Sequence, residues 1–201
     1  MKKLTVIITI LLSAGMLNNS CKTQCIQTIQ SSPNDLLLPA FDLKNIKTLF
    51  ASNKIDEANY QFYRLDRDEL GFSHVRCYQF VDKLKVFSEE LIFHFNQSGE
   101  YYLLSGAIIR TTGLDAKPSL RRDRAVKIFT QKLAEEKNPM IDGTLAKGCF
   151  DVEFGCIALD DTNQKFAKAW KVKPADKTHP YAYINDDTSE IIFFDTGMRT
   201  F

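Results

Sequence analysis

The chain has 201 residues, of which 44% are hydrophobic and 25% charged, and its formal net charge is +1 at pH 7. This composition supplies enough apolar side chains for a packed core and excludes an intrinsically disordered chain. Because 26 basic residues stand against 25 acidic ones, no basic excess is available to neutralise phosphates, and we expect no nucleic-acid partner.

The N-terminal residues predict export. Lys2 and Lys3 precede an apolar run over residues 4–12, and small residues follow it. This is the arrangement of a secretory signal peptide, and the run is shorter than the roughly 20 residues that a membrane-spanning helix needs. We therefore expect residues 1–20 to be a signal peptide. Its removal lowers the basic count from 26 to 24 against 25 acidic residues, a net charge of −1.

The first cysteine lies directly after this signal. Ser20 precedes Cys21, and a small residue before a cysteine at this place resembles a bacterial lipobox, although Asn18 and Asn19 depart from its usual residues. The resemblance implies that Cys21 is lipidated and anchors the protein to a cell-envelope membrane, on its periplasmic or surface side, because buried acyl chains bind bilayers. Plain cleavage with a free or paired Cys21 is the alternative. Residues 21–40 are predicted to be the tether.

Four further cysteines make disulfides possible in an exported chain. Cys25, Cys77, Cys149 and Cys156 allow three pairings, and the sequence alone does not choose among them. We favour the pair Cys149–Cys156, because Gly155 provides a turn within the short segment between them.

The pattern of the remaining chain predicts two helices and two groups of strands. Asp42 caps the first helix, which ends at residues 52–53, and the second begins at Ser119 and stops before Pro139. Period-two alternation predicts the strands, at 60–64, 72–81, 86–95 and 101–109 before the second helix and at 150–159, 167–173, 181–184 and 191–194 after it. Helices segregated against antiparallel strands indicate the α+β class.

Residues 71–106 resemble the fungalysin/thermolysin propeptide (FTP) motif. Residues 74–79, His-Val-Arg-Cys-Tyr-Gln, are similar to its His/Arg/Gln strand, and residues 90–95 to its apolar strand before a glycine turn. Lys83 stands where the family often has glycine, and Cys77 where it has an aromatic or polar residue.

The C-terminal residues resemble a PepSY domain. Residues 167–172 are similar to its Leu-Ala-Trp-Arg-Val strand and residues 183–192 to its Tyr-Val-Asp-Ala-Lys-Thr-Gly-Glu-Ile segment, with Ser in place of its glycine. Together the two resemblances imply two cystatin-like modules, each an antiparallel sheet packed on a helix. The FTP-like module would span residues 41–113 and the PepSY-like module residues 114–201.

The resemblance also implies a function. In this family the two modules precede a zinc protease, help it fold and inhibit it. The protease needs His-Glu-x-x-His, whereas His74, His94 and His179 are far apart, so we expect free-standing modules, no catalytic residue and no enzyme activity.

The predicted role is therefore to bind, and inhibit or chaperone, an exported protease. A free sheet edge or the C-terminal tail would lie along the protease cleft as an added strand. The tail residues are Thr196, Gly197, Met198, Arg199, Thr200 and Phe201. The alternative is an envelope scaffold or accessory subunit whose partner is not a protease.

Other candidate sites have simpler interpretations, and we expect no metal and no cofactor. His74 and His94 are interpreted as hydrogen-bonded sheet residues, and a metal site with Glu90 is the alternative. Trp170 is predicted to pack in the core. The acidic turn at residues 185–187 is interpreted as a solvated hairpin tip, because its spacing does not match a calcium-binding loop.

Overall fold

The computed structural model of the chain describes residues 25–29, 40–53, 56–136, 148–160 and 162–198. The predicted signal peptide, Cys21 and the last three tail residues lie outside these ranges. The strands are β1 (Ile26–Ile29), β2 (Tyr60–Arg67), β3 (Ser73–Val81), β4 (Leu84–Phe95), β5 (Tyr101–Ser105), β6 (Phe150–Ala158), β7 (Phe166–Pro174), β8 (Tyr181–Asn185) and β9 (Ile191–Asp195). The helices are α1 (Ala40–Asn53) and α2 (Arg122–Glu135), and a 3-10 turn spans Glu57–Asn59. Neither helix has the length and apolar character needed to cross a bilayer.

The nine strands of the described residues belong to one mixed sheet. Seven of them follow the order β2-β3-β4-β6-β7-β8-β9, while β1 pairs with β6 and β5 with β4. β2 to β5 form one antiparallel meander and β6 to β9 another. The meanders meet where β4 runs parallel to β6, with Lys85 opposite Gly155 and Val86 opposite Cys156. β1 pairs with β6 in parallel, so β1 and β4 share one edge of that strand.

The predicted fold class is therefore wrong. The sequence predicted two cystatin-like modules, each with its own sheet on a helix, whereas the described chain is mostly strand, in one continuous sheet with two 14-residue helices. Alternation of apolar residues fixes which face of a strand is buried, but it does not say which strands pair across distant parts of the sequence. The predicted boundary at residues 113–114 falls between β5 and α2 and stays a prediction.

Gly155 is required where the two meanders meet. A Cβ atom there would overlap the carbonyl oxygen of Lys85 and lie 2.8 Å from Cζ of Phe87. A side chain would therefore force β4 and β6 apart, as expected where two backbones approach closely. The sequence assigned this glycine to a turn, but it lies inside β6.

The two helices cover different parts of the sheet. Ile46 and Phe50 of α1 are buried against β2, β3 and β4. Phe129 and Leu133 of α2 are buried with Trp170 against β6, β7 and β8. The prediction that Trp170 packs in the core is confirmed, since it is 6% exposed.

The disulfide joins Cys25, just before β1, to Cys149, just before β6. The predicted pair Cys149–Cys156 is wrong, and Cys156 is a buried free thiol. The seven residue steps from Cys149 to Cys156 run along an extended strand at about 3.3 Å each, which separates the two Cα atoms far beyond disulfide reach. Burial raises the pKa of the Cys156 thiol to about 12, so this thiol is unreactive.

Asp186 ties the start of α2 to β7 and β8. Its carboxylate accepts hydrogen bonds from the backbone N–H of Ser119 at 2.7 Å, the N–H of Leu120 at 2.9 Å and Nε1 of Trp170 at 3.0 Å. Nζ of Lys168 lies 3.3 Å from the same carboxylate. The prediction of a solvated turn is therefore wrong for Asp186, whose side chain is 0% exposed.

Removing the disulfide in the Cys25→Ser/Cys149→Ser variant should lower the free energy of unfolding by about 4 kcal/mol, because the bridge constrains a long loop of the unfolded chain. The bridged residues are 124 positions apart. Urea unfolding with and without reductant measures the effect. Reductant should bring the parent chain to the level of the variant and leave the variant unchanged. Equal stability of the oxidised parent and the variant would contradict this.

Asp186→Ala should lower the free energy of unfolding by about 3 kcal/mol or more, since three N–H donors lose a buried acceptor and Lys168 loses a buried counter-charge. Asp187→Ala is the matched control. Its side chain is 59% exposed, and we expect a loss below about 1 kcal/mol. Urea unfolding of the two variants compares them, and similar losses would show that burial of the Asp186 carboxylate is unimportant.

Candidate functional site: a histidine relay beside an open strand edge

His74 and His94 lie directly opposite each other on β3 and β4. Their neighbours Val75 and Phe93 are buried under α1, so the histidines lie on the face that α1 leaves uncovered. Their Nδ1 atoms are 2.8 Å apart. At this distance one nitrogen must donate a proton to the other, because two lone pairs or two N–H groups would repel each other. The interpretation of both residues as hydrogen-bonded sheet residues is confirmed.

The outer nitrogens of the two rings extend this hydrogen bond into a relay of four residues. Nε2 of His94 is 2.9 Å from Oγ of Ser105 on β5, and Nε2 of His74 is 3.4 Å from Oδ2 of Asp68 in the β2–β3 turn. One consistent arrangement has the Ser105 hydroxyl donate to His94, His94 donate to His74, and His74 donate to Asp68. The relay therefore crosses the sheet from the β2–β3 turn to β5 while both rings stay neutral.

A row of charged residues lies next to the relay. Arg76 donates from Nε to Oδ2 of Asp66 at 3.0 Å and from Nη1 to Oε2 of Glu90 at 3.0 Å. Arg64 also donates to Asp66, at 2.6 Å. Arg76 and Glu90 thus form an ion pair across β3 and β4. Burial raises the pKa of Glu90, whose Oε1 atom has no hydrogen-bond partner among the described residues.

These contacts leave Glu90 engaged with Arg76 instead of the histidines. Within the part of the chain that the structure describes, no three His, Cys, Asp or Glu side chains are grouped as metal ligands. The hydrogen-bonded relay can share and move a proton between its two histidines. Together with the Arg76 ion pairs it connects β2, β3, β4 and β5.

Gln79 has a similar holding role at the other end of β3. Its side chain, 1% exposed, donates to the carbonyl of Ala107 at 2.7 Å and accepts from the N–H of Ile109 at 3.0 Å. The segment after β5 is thereby fixed to β3. His74, Arg76 and Gln79 thus each make polar contacts that cross strands or connect segments.

The β2–β3 turn and the β4–β5 turn, which lie beside the histidine relay, are connected to each other. Oδ1 of Asp68 accepts from the N–H of Leu70 at 3.0 Å and of Phe72 at 2.9 Å, which fixes the β2–β3 turn. Nε2 of Gln97, in the β4–β5 turn, donates to the carbonyl of Leu70 at 2.6 Å. The Phe72 ring contacts the Tyr102 ring at 5.8 Å between centroids. Asp68 therefore serves both the relay and the turn.

β5 presents an exposed apolar edge beside the relay. Among the described strands it pairs only with β4. Its residues Tyr101, Tyr102 and Leu103, here called the β5 edge, are 41%, 50% and 48% exposed. The Tyr102 ring also lies 6.0 Å from the His94 ring. An open strand edge with apolar side chains is a template for pairing with another extended chain.

The first half of the predicted tail follows β9 in a turn. The N–H of Gly197 donates to Oδ1 of Asp195 at 2.7 Å, and a Cβ atom at Gly197 would lie 2.7 Å from Cβ of His179. Its φ of +79° also favours glycine. Met198 is 53% exposed. The role of Thr196, Gly197 and Met198 in partner binding stays a prediction, and Arg199, Thr200 and Phe201 lie outside the described residues.

Sequence reasoning placed the two histidines in paired strands but missed Asp68 and Ser105. A signal for Asp68 was present, since Asp before a Gly-containing turn commonly accepts backbone hydrogen bonds. No comparable signal marked Ser105, because a β-bulge between His94 and Phe95 shifts the pairing with β5.

Comparison with known proteins agrees with part of the sequence resemblance. Residues 58–108 match the fungalysin/thermolysin propeptide motif. A search among curated proteins gives no match. The matched range contains β2 to β5 and the whole relay, whereas the PepSY resemblance of residues 114–201 stays a prediction. The first meander of the sheet is thus the part of the chain that is similar to the fungalysin/thermolysin propeptide motif.

Proposed function

We propose that this chain is a non-catalytic, propeptide-like protein that binds a protease and inhibits it or assists its folding. The observation that carries the proposal is the propeptide motif over residues 58–108. Its polar residues support binding more than catalysis, since His74, Arg76 and Gln79 are engaged in fixing strands and connecting segments.

We place the binding surface on the β5 edge. An extended protease segment would add to the sheet by backbone hydrogen bonds along the open side of β5, and its apolar side chains would cover Tyr102 and Leu103. Aromatic side chains are enriched in protein interfaces because they bury a large area. The tail at residues 196–201 is the second candidate surface, since β9 also pairs with one strand only among those described.

We further propose that the protein is exported and lipidated at Cys21, in the envelope of a bacterium. The Cys25–Cys149 disulfide supports export, because such bridges persist in oxidising compartments. A lipid anchor would hold the β5 edge near exported proteases.

Leu103→Lys should weaken binding to a thermolysin-like zinc protease about tenfold or more, because a charge replaces an apolar side chain of the interface. The matched control is Leu159→Lys, which changes an exposed leucine after β6, and its affinity should equal that of the parent. Inhibition assays and biolayer interferometry measure the affinities, and urea unfolding checks that both variants are folded.

The outcomes separate the candidate surfaces and functions. Loss of binding on deletion of residues 196–201, with Leu103→Lys unaffected, would move the interface to the tail. No binding or inhibition at high micromolar concentration would contradict a protease partner of this class. Capture of an assembly or transport component from envelope extracts would then favour the scaffold function.

Intact mass spectrometry of the membrane-extracted protein tests export and lipidation. We expect a chain that begins at an acylated Cys21 and gains two hydrogens on reduction of the Cys25–Cys149 disulfide. A chain that retains residues 1–20 and gains nothing on reduction would contradict both the anchor and the oxidising compartment.

A further inference from the structure

We propose that the His74–His94 pair is a proton switch that loosens the β5 end of the sheet when it takes up a second proton. The switch itself follows from the geometry of the relay. Its effect on protease binding rests on the proposed function.

The gap between the rings holds one proton. With Nδ1 atoms 2.8 Å apart, the neutral pair forms one N–H···N hydrogen bond, and a singly charged pair can still share a proton there. A second added proton places an N–H on each facing nitrogen and makes both rings cationic. The hydrogen bond is then lost, and two positive charges face each other, so the rings must separate.

The first added proton has a nearby counter-charge. Asp68 lies 3.4 Å from Nε2 of His74 and balances an imidazolium on that ring. Among the described residues the outer nitrogen of His94 pairs with the neutral hydroxyl of Ser105 and not with a carboxylate. The second proton therefore goes to a ring without a counter-charge of its own.

The other charged groups around the pair either repel a second proton or are already neutralised by other partners. On β2, Asp66 is engaged with Arg64 and Arg76. On β4, Glu90 is engaged with Arg76, which itself carries a positive charge on the strand of His74. On β5, the groups that face His94 are the Ser105 hydroxyl and the Tyr102 ring. The surroundings thus favour one proton in the gap and disfavour two.

The direction of the pH dependence follows from His94. Burial, followed by the charges of His74 and Arg76, lowers the pKa of His94 from its ordinary value of 6.5. A group with a lowered folded-state pKa stabilises the fold fully above its unfolded pKa, and this contribution is lost as the pH falls through the folded-state value. The β5 end is therefore closed above about pH 6.5 and opens in acid.

Separation of the rings acts on the β5 edge through two contacts. His94 holds Ser105 by a hydrogen bond and touches the Tyr102 ring, and Tyr102 in turn touches Phe72 of the β2–β3 turn. Moving His94 away from His74 disturbs both contacts. A partner strand on β5 would therefore be released in acid.

Hydrogen exchange of the full oxidised chain tests the switch without any protease. After correction for intrinsic exchange, opening of residues 101–105 should rise about tenfold for each pH unit as the pH falls from 6.5 towards the lowered His94 pKa, because opening takes up one proton in that window. Below the lowered pKa the rise should level off. Residues 181–185 of β8 provide an internal reference and should show no such rise. His94→Gln should abolish the rise, and His179→Gln, which changes the third histidine, should retain it.

A second measurement covers the case in which His94→Gln does not fold. NMR titration of the ring protons in the parent chain should show two coupled steps, with His94 titrating below its ordinary pKa. Two independent transitions at ordinary values, or a β5 exchange rate that follows only intrinsic chemistry, would overturn the switch. Failure of the switch would not contradict protease binding at neutral pH. Absence of protease binding would not change the expected hydrogen exchange of β5.

Discussion

The short parallel pairing between β4 and β6 is the constraint on which the rest of the structure depends. It joins two antiparallel meanders that would otherwise be separate sheets, at Lys85 and Gly155. A buried ion pair of Lys85 with Glu153 at 2.9 Å and a ring contact of Phe87 with Tyr183 at 5.3 Å lie beside it. Because the strands meet over few residues, close approach at glycine and side-chain contacts across the junction supplement a short hydrogen-bond ladder.

The disulfide supports the same junction from a second direction. Cys25 and Cys149 lie at the start of β1 and β6, and the N–H of Phe150 donates to the carbonyl of Cys25 at 2.9 Å. β1 is thereby fixed to the part of the β6 edge that β4 does not reach. The edge of β6 is covered along most of its length by two strands that are far apart in the sequence.

Local pattern predicted the elements well and their assembly poorly. The eight predicted strands all correspond to observed ones, and both helices were expected, because alternation and capping act within a few residues. The joining of the meanders, the Cys25–Cys149 bridge and the buried Asp186 depend on residues more than 60 positions apart. An Asp in a turn is normally predicted to be solvated. Asp186 is buried because the residues that begin α2 lie against it and donate hydrogen bonds to its carboxylate.

The two ends of the sheet differ in how firmly their polar groups are held. Around Asp186 the carboxylate is fully buried, accepts three hydrogen bonds and pairs with Lys168, so its removal would leave buried donors and a buried cation unpaired. Around His74 the side chains are partly exposed, and the relay depends on single hydrogen bonds between the two imidazole rings and their neighbours. A surface that must bind and release a partner is better placed near His74, where one proton can break a hydrogen bond, than near Asp186. The propeptide motif coincides with that adjustable end, so the polar residues of the motif both hold the strands together and determine the conditions under which they separate.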